Sequence, residues 1–314
     1  MIAKDILAVN SVIEQSLHSE VALVNQVAHY IINSGGKRLR PMLVLLTAGL
    51  FGKITPQHHQ IAAVVELIHT ATLLHDDVVD ESGKRRGQNT ANALFGNAAS
   101  VLVGDFVYSR AFQMMVAVEN MRVMEVLSNA TNVIAEGEVL QLLNINNADI
   151  TDADYLQVIH YKTAKLFEAA TRLGAIISNA STKDESALSL YGMHIGTAFQ
   201  LIDDVLDLSG NVQAIGKNLG DDLSEGKPTL PLLYAMRNGN ADESKTIKHA
   251  IEHGGLEDLA GVLRAVERTG ALQHVRNMAT KESALACAAI AHFSDSPHKA
   301  AMLTLAEFAV SRNY

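Results

Sequence analysis

The sequence predicts an all-α fold. Three observations point to it. Proline is rare, with none between Pro56 and Pro228. Apolar positions recur at helical spacing, as in Val101, Phe106, Ala111, Met114, Met115 and Val118, and again in Leu156, Ile159, Leu166, Ala169, Ala170 and Leu173. Alternating strand patterns joined by Asn-Gly or Asp-Gly turns are not evident.

The elements follow in order from local start and stop signals. Gly35-Gly36 closes a first long helix, and Pro41 opens the next. A helix runs from about Gln57 to Asp80, and the polar, glycine-containing segment Glu81 to Asn89 reads as a loop. Two helices follow, from Val101 to Val118 and from Met121 to Leu143. Asn146 to Asp149 breaks the pattern, and Thr151 or Asp152 can cap what comes next. Tyr161 to Ala164 falls mid-helix, and Ser181-Thr182 separates the next pair. Ser209 to Lys227 is a long polar loop. From about Asn238 onward the pattern is helical and carries no evident chemistry. No composition shift marks a linker, so residues 1–314 read as one domain.

Composition narrows the function. A net charge of −9 argues against a nucleic-acid footprint. The single cysteine, Cys287, rules out an internal disulfide and fits a reducing compartment. The start lacks the basic and apolar regions of a signal peptide, and no run of 18 apolar residues occurs. A cytoplasmic location is therefore expected, with peripheral membrane contact left open.

Two aspartate clusters share one layout. His75-Asp76-Asp77-Val78-Val79-Asp80 and Ile202-Asp203-Asp204-Val205-Leu206-Asp207 each end a long apolar stretch and precede a flexible basic loop. On a helix, residues i and i+4 share a face, so Asp76 projects with Asp80 and Asp203 with Asp207. Like charges at that spacing repel and call for a cation. Oxygen-only ligands suit Mg²⁺, which bridges carboxylates to substrate phosphates. One such cluster alone is an ordinary solvated helix end; the duplication is what favours metal binding.

Cationic residues accompany the clusters. Gly83-Lys84-Arg85-Arg86-Gly87 follows the first, where a phosphate needs counter-charge. Gly35-Gly36-Lys37-Arg38-Leu39-Arg40-Pro41 sets three cations before a helix start, without Walker spacing. His69 shares a helix face with Asp76 and Asp80. Lys162 and Thr163 lie mid-helix, Gln200 stands one turn before the second cluster, and Lys217 and Lys227 follow it. Taken singly, each has an ordinary reading as surface or core. No H-E-x-x-H or Cys/His grouping suggests zinc.

Together these residues resemble the trans-isoprenyl diphosphate synthase family. The motifs are G-G-K-R-x-R-P at 35–41, E-x-x-H at 66–69, D-D-x-x-D at 76–80 and R-R-G at 85–87. They continue with K-T at 162–163, F-Q-x-x-D-D-x-x-D at 199–207, G-K-x-x-G-D-D at 216–222 and E-G-K-x-T-L-P at 225–231. The runs Ala99 to Phe106 and Ala135 to Val139 are similar to the long-chain branch. The resemblance implies a bundle of antiparallel helices around a deep central cavity, working as a homodimer. It implies Mg²⁺, roughly three ions with substrate bound, held by Asp76, Asp77 and Asp80 and by Asp203, Asp204 and Asp207. Arg85, Lys162, Thr163, Gln200, Lys217 and Lys227 would line the allylic (farnesyl) diphosphate site. Lys37, Arg40, His69 and Arg86 would hold isopentenyl diphosphate. Asp76, Asp80, Asp203, Lys162, Thr163 and Gln200 would carry the catalysis. A role in supplying quinone side chains is a further implication.

Product length should follow from where the cavity ends. Ala71 and Thr72 stand one turn before Asp76, and small residues there leave room for a long tail. Each isoprene unit adds roughly 5 Å, close to one helical turn. Phe112, Met115 and Met124 are candidates for the floor, though each also reads as plain core. A cyclase on the same fold fits less well, because its second cluster is of the N-x-x-x-S-x-x-x-E type. A non-catalytic partner subunit is expected to lose aspartates that are complete here.

Overall fold

The computed structural model describes residues 1–85, 87–209, 219–254 and 256–312. Its helices are α1 (Ala3–Ser16), α2 (Ala22–Asn33), α3 (Leu39–Leu50), α4 (Pro56–Val79), α5 (Ala91–Phe95), α6 (Asn97–Val116), α7 (Met121–Asn144) and α8 (Asp152–Ile159). After a π-helical turn (His160–Ala164) come α9 (Lys165–Ile177), α10 (Thr182–Ser209), α11 (Asp221–Ser224), α12 (Leu230–Asn238), α13 (Ala241–His253), α14 (Leu259–Arg268), α15 (Ala271–Ala289) and α16 (Pro297–Ser311). The chain divides into two compact units. One comprises Met1–Thr131, Leu166–Gly192 and Ala289–Thr304; the other comprises Asn132–Lys165, Met193–Ala288 and Leu305–Tyr314.

The first unit is organised on α4, which packs against α1, α3 and α6. All eight residues from Ile61 to Ile68 are buried, including Glu66, so here the helix is surrounded on every side. Its start is fixed by Pro56 at the first turn and by a reciprocal capping box between Thr55 and His58. Gly104 on α6 permits close approach: a Cβ there would lie 2.4 Å from the His75 ring nitrogen Nε2. The second unit has its core on Tyr155, Ile202, Val205, Leu232, Leu233, Val262 and Val275. Thr151 caps α8 in a capping box with Asp154, as the sequence allows, and Asn240 caps α13 with Glu243.

Three local features depart from the sequence reading. The first long helix is two, α1 and α2. Asn25 pins the turn between them, accepting from the Ser19 amide at 3.0 Å and donating to the Ser19 carbonyl at 2.7 Å. No glycine or proline marks that break. The loop after the first cluster contains a short antiparallel pair, β1 (Lys84–Arg85) and β2 (Gln88–Asn89), with Arg85 opposite Gln88. Gly87, at φ +77°, supplies the left-handed backbone that so tight a return needs. The stretch around Lys162 is a π-helical turn, not continuous α-helix; such bulges often mark functional positions.

Candidate active site

In the first unit, α4 ends in the first aspartate cluster. Asp76 and Asp80 are half-buried one turn apart, and the Asp80 amide donates to the Asp76 carbonyl at 2.8 Å. Asp77 is fully buried and accepts from Arg85 through Nε at 2.8 Å and Nη2 at 2.7 Å. The Asp77 carbonyl also accepts from the Asn92 side chain at 3.0 Å. Asp77 thus fastens the basic hairpin beneath α4 and leaves Asp76 and Asp80 as the accessible carboxylates. The helix C-terminus adds partial negative charge there, so the pair favours a cation.

The G-G-K-R-x-R-P segment lies in the same unit. Arg38 adopts left-handed backbone (φ 48°, ψ 36°) at the N-cap of α3. Its guanidinium pairs with buried Glu66 and donates to the Ile32 carbonyl at 2.9 Å. This anchors the turn between an exposed Lys37 and a half-buried Arg40, whose guanidinium lies 4.5 Å from the Phe167 ring centroid. His69, one turn beyond Glu66 on α4, is half-buried. The sequence marked Glu66 only as part of a motif; its partner Arg38 had no assigned role.

In the second unit, the π turn carries Lys162 and Thr163. Lys162 Nζ donates to Glu138 at 2.5 Å and to Gln141 at 2.6 Å, both on α7. Gly137 makes that approach possible, since a Cβ there would sit 2.7 Å from the Lys162 backbone nitrogen. Thr163 donates its hydroxyl to Gln200 Oε1 at 3.0 Å, and Gln200 Nε2 donates to Asp204 Oδ1 at 2.9 Å. Tyr155 donates to the other oxygen of Asp204 at 2.5 Å. Asp204 is almost wholly buried. Its carboxyl is pushed up to about 8, chiefly by burial and then by the charge of Asp222, against the two hydrogen bonds. Burial, followed by the Asp204 charge, raises the Tyr155 phenol well above its ordinary value.

The remaining second-cluster carboxylates are half-buried. Asp203 pairs with Arg312 Nη1 at 2.6 Å, and Asp207 accepts from the Asp222 amide at 3.4 Å. Lys227 pairs with Glu225 at 2.5 Å. Both clusters therefore divide alike: Asp77 and Asp204, grouped with the ligands by sequence, are buried and spent on protein partners, whereas Asp76, Asp80, Asp203 and Asp207 are half-buried. Arg86 and Lys217 lie outside the described residues.

Residues 21–268 match the polyprenyl synthetase family. The chain belongs to the polyprenyl synthetase family. Within that family, it is 52% identical over 312 residues to the octaprenyl diphosphate synthase of Escherichia coli (strain K12), covering 99% of this chain and 97% of that one. It is 44% identical over 312 residues to an all-trans-nonaprenyl-diphosphate synthase (geranyl-diphosphate specific) of Rhodobacter capsulatus, covering 99% and 96%. A solved polyprenyl synthase from Caulobacter crescentus CB15, complexed with calcium and isoprenyl diphosphate, has a TM-score of 0.96 at 42% identity, covering 100% of this chain and 96% of that one. Members of the polyprenyl synthetase family with this all-α isoprenoid-synthase fold are prenyltransferases, and so is this chain.

Proposed function

We propose that this protein is a long-chain trans-polyprenyl diphosphate synthase that adds isopentenyl diphosphate to a farnesyl primer until an octaprenyl-length product is reached. The hydrogen-bonded run from Thr163 through Gln200 to Asp204, with Lys162 beside it and Asp203 and Asp207 flanking it, carries the reading. That run joins the K-T motif to the second aspartate cluster, as a site for an allylic diphosphate requires. The 52% identity to an octaprenyl diphosphate synthase supports the product length.

Mg²⁺ fits the donor set. Half-buried Asp76 and Asp80 at a helix C-terminus, and Asp203 and Asp207 in the second cluster, offer only oxygen ligands. Among the described residues no three metal-ligating side chains converge, so Asp76 and Asp80, and Asp203 and Asp207, would hold the ion together with substrate oxygens. Bound there, the metal supplies positive charge against the leaving diphosphate. Lys162, Lys227 and Arg85, with Lys217, hold the allylic diphosphate and stabilise charge that grows as the C–O bond breaks. Lys37, Arg40, His69 and Arg86 hold isopentenyl diphosphate with its double bond toward the allylic carbon. A carbon–carbon bond forms, and a proton leaves to the released diphosphate. Thr163 and Gln200, hydrogen-bonded to each other at 3.0 Å, offer neutral dipoles to the carbocation.

A homodimer belongs to the same reading. On α7, Val139, Leu142 and Leu143 share a helix face and are 57%, 57% and 71% exposed; an apolar face of this kind fits burial against a second copy. The single-domain reading is also kept, because each compact unit draws on three separate stretches of chain. No helix among the described residues is long and apolar enough to cross a membrane. A cytoplasmic enzyme that releases a lipid product for quinone side chains completes the proposal.

Product analysis tests it. Purified protein is incubated with farnesyl diphosphate, labelled isopentenyl diphosphate and Mg²⁺, with Asp76→Ala as control. A dominant octaprenyl-length product, absent from the control and without Mg²⁺, is expected. A geranylgeranyl-length product would keep the chemistry and overturn the open cavity; no elongation would overturn the function.

A further inference from the structure

Arg312 follows α16, in a part of the chain that carries no chemical motif, yet its guanidinium lies against the second aspartate cluster. Nη1 contacts Asp203 Oδ1 at 2.6 Å, Nη2 donates to the Phe199 carbonyl at 2.5 Å, and Nε donates to the Ala309 carbonyl at 3.4 Å. The guanidinium carbon sits 3.7 Å from the centroid of the Phe199 ring. The two partners differ in exposure: the Arg312 side chain is 3% exposed and that of Asp203 is 42%.

That asymmetry assigns the roles. A buried guanidinium needs a counter-charge, but Arg312 is also held by two carbonyls and an aromatic face. Asp203 is held from one side only, with part of its carboxylate turned to solvent. A carboxylate clamped at one oxygen has one orientation instead of several, and outer partners of this kind fix metal ligands in place.

We infer that Arg312 is a positioning residue for the second cluster: it holds Asp203 in the orientation that receives the divalent ion. The inference rests on the metal-dependent reading above. The pair joins the end of α16 to the metal-facing end of α10, so residues far apart in sequence set one ligand.

Mn²⁺ binding, followed by electron paramagnetic resonance in the presence of inorganic pyrophosphate, tests this without turnover. Arg312→Met is expected to weaken Mn²⁺ binding about tenfold or more, and Arg312→Lys to recover part of the loss. Unchanged Mn²⁺ affinity in Arg312→Met, with only a lower melting temperature, would overturn the inference and leave Arg312 a structural pin. If Arg312→Met does not fold, Arg312→Lys decides alone: unchanged affinity overturns the inference, and an intermediate loss supports it. Asp203→Asn separates the two levels. If it leaves Mn²⁺ binding unchanged, the metal assignment itself fails; if it weakens binding while both Arg312 variants do not, only the positioning role fails.

Discussion

Tyr155 donates its hydroxyl hydrogen to Asp204 across 2.5 Å, inside the core of the second unit. With Gln200 on the other oxygen, this fixes Asp204, and Asp204 fixes the Gln200 amide so that its oxygen accepts from Thr163. Tyr155→Phe removes the buried donor and leaves one carboxylate oxygen unmatched. The expected cost is about 1–3 kcal/mol of stability, measured by urea unfolding. Turnover should also fall, with the Mg²⁺ requirement unchanged, because the accessible carboxylates are untouched. A variant that needs more Mg²⁺ would show that Asp204 binds the metal.

Gly137 stands where any side chain would press on the Lys162 backbone. Gly137→Ala should displace the π turn and separate Lys162 from Glu138 and Gln141. We expect kcat to drop about tenfold or more, comparable to losing a positioned charge–diphosphate contact. Lys162→Met in the unaltered backbone should do the same. Steady-state kinetics with both variants checks this. If Gly137→Ala is fully active, the close packing of α7 on the π turn has no bearing on catalysis.

Much of this site was legible because the same acidic layout occurs twice, each time at the end of an apolar helix. The paired carboxylates of α4 and α10, their helical spacing and the all-α architecture follow from periodicity that a single sequence displays. The division of labour within each cluster was not legible. Asp76 and Asp77 are adjacent in sequence, yet one turns toward solvent and the other toward Arg85, and only tertiary packing decides which. The π turn at His160–Ala164 leaves the apolar pattern nearly intact, so periodicity reads straight through it. Arg38–Glu66 and Arg312–Asp203 join residues far apart in the chain, and neither pair has a spacing that one sequence could reveal.

Ala71 is fully buried on α4, five residues before Asp76, and Thr72 beside it is half-buried with its hydroxyl on the His69 carbonyl at 2.8 Å. Of the floor candidates, Met115 is fully buried, and Phe112 and Met124 are half-buried. An aromatic ring at position 71 should stop the growing tail within a few units. Ala71→Phe and Ala71→Tyr are therefore expected to shift the product to shorter chains, read by reverse-phase sizing after dephosphorylation. An unchanged distribution in a folded, active variant would remove Ala71 from the cavity wall. Met115→Ala should lengthen the product only if Met115 forms the floor.

His58 should make the fold sensitive to acid. It is 1% exposed, and the Thr55 backbone amide donates to its Nδ1 at 3.1 Å, so that nitrogen must be an acceptor and the ring neutral. Nε2 then carries the hydrogen and reaches Ser178 Oγ at 3.0 Å. Burial lowers the His58 pKa below its ordinary 6.5, with a smaller push from His59 and an opposing effect of the Gly174 backbone. The unfolded chain therefore takes up a proton at a pH where the folded chain resists it. Stability is complete above about pH 6.5 and declines as pH falls from there through the lower folded value. Protonation would also place a second donor against the Thr55 amide and break the cap of α4. His58→Gln should flatten the fall in melting temperature between about pH 7 and pH 5, at some cost in stability near pH 7. Thermal unfolding of both proteins across that range measures it; parallel curves would mean that His58 takes up its proton as readily in the folded chain as in the unfolded one, or that other groups set the acid limit.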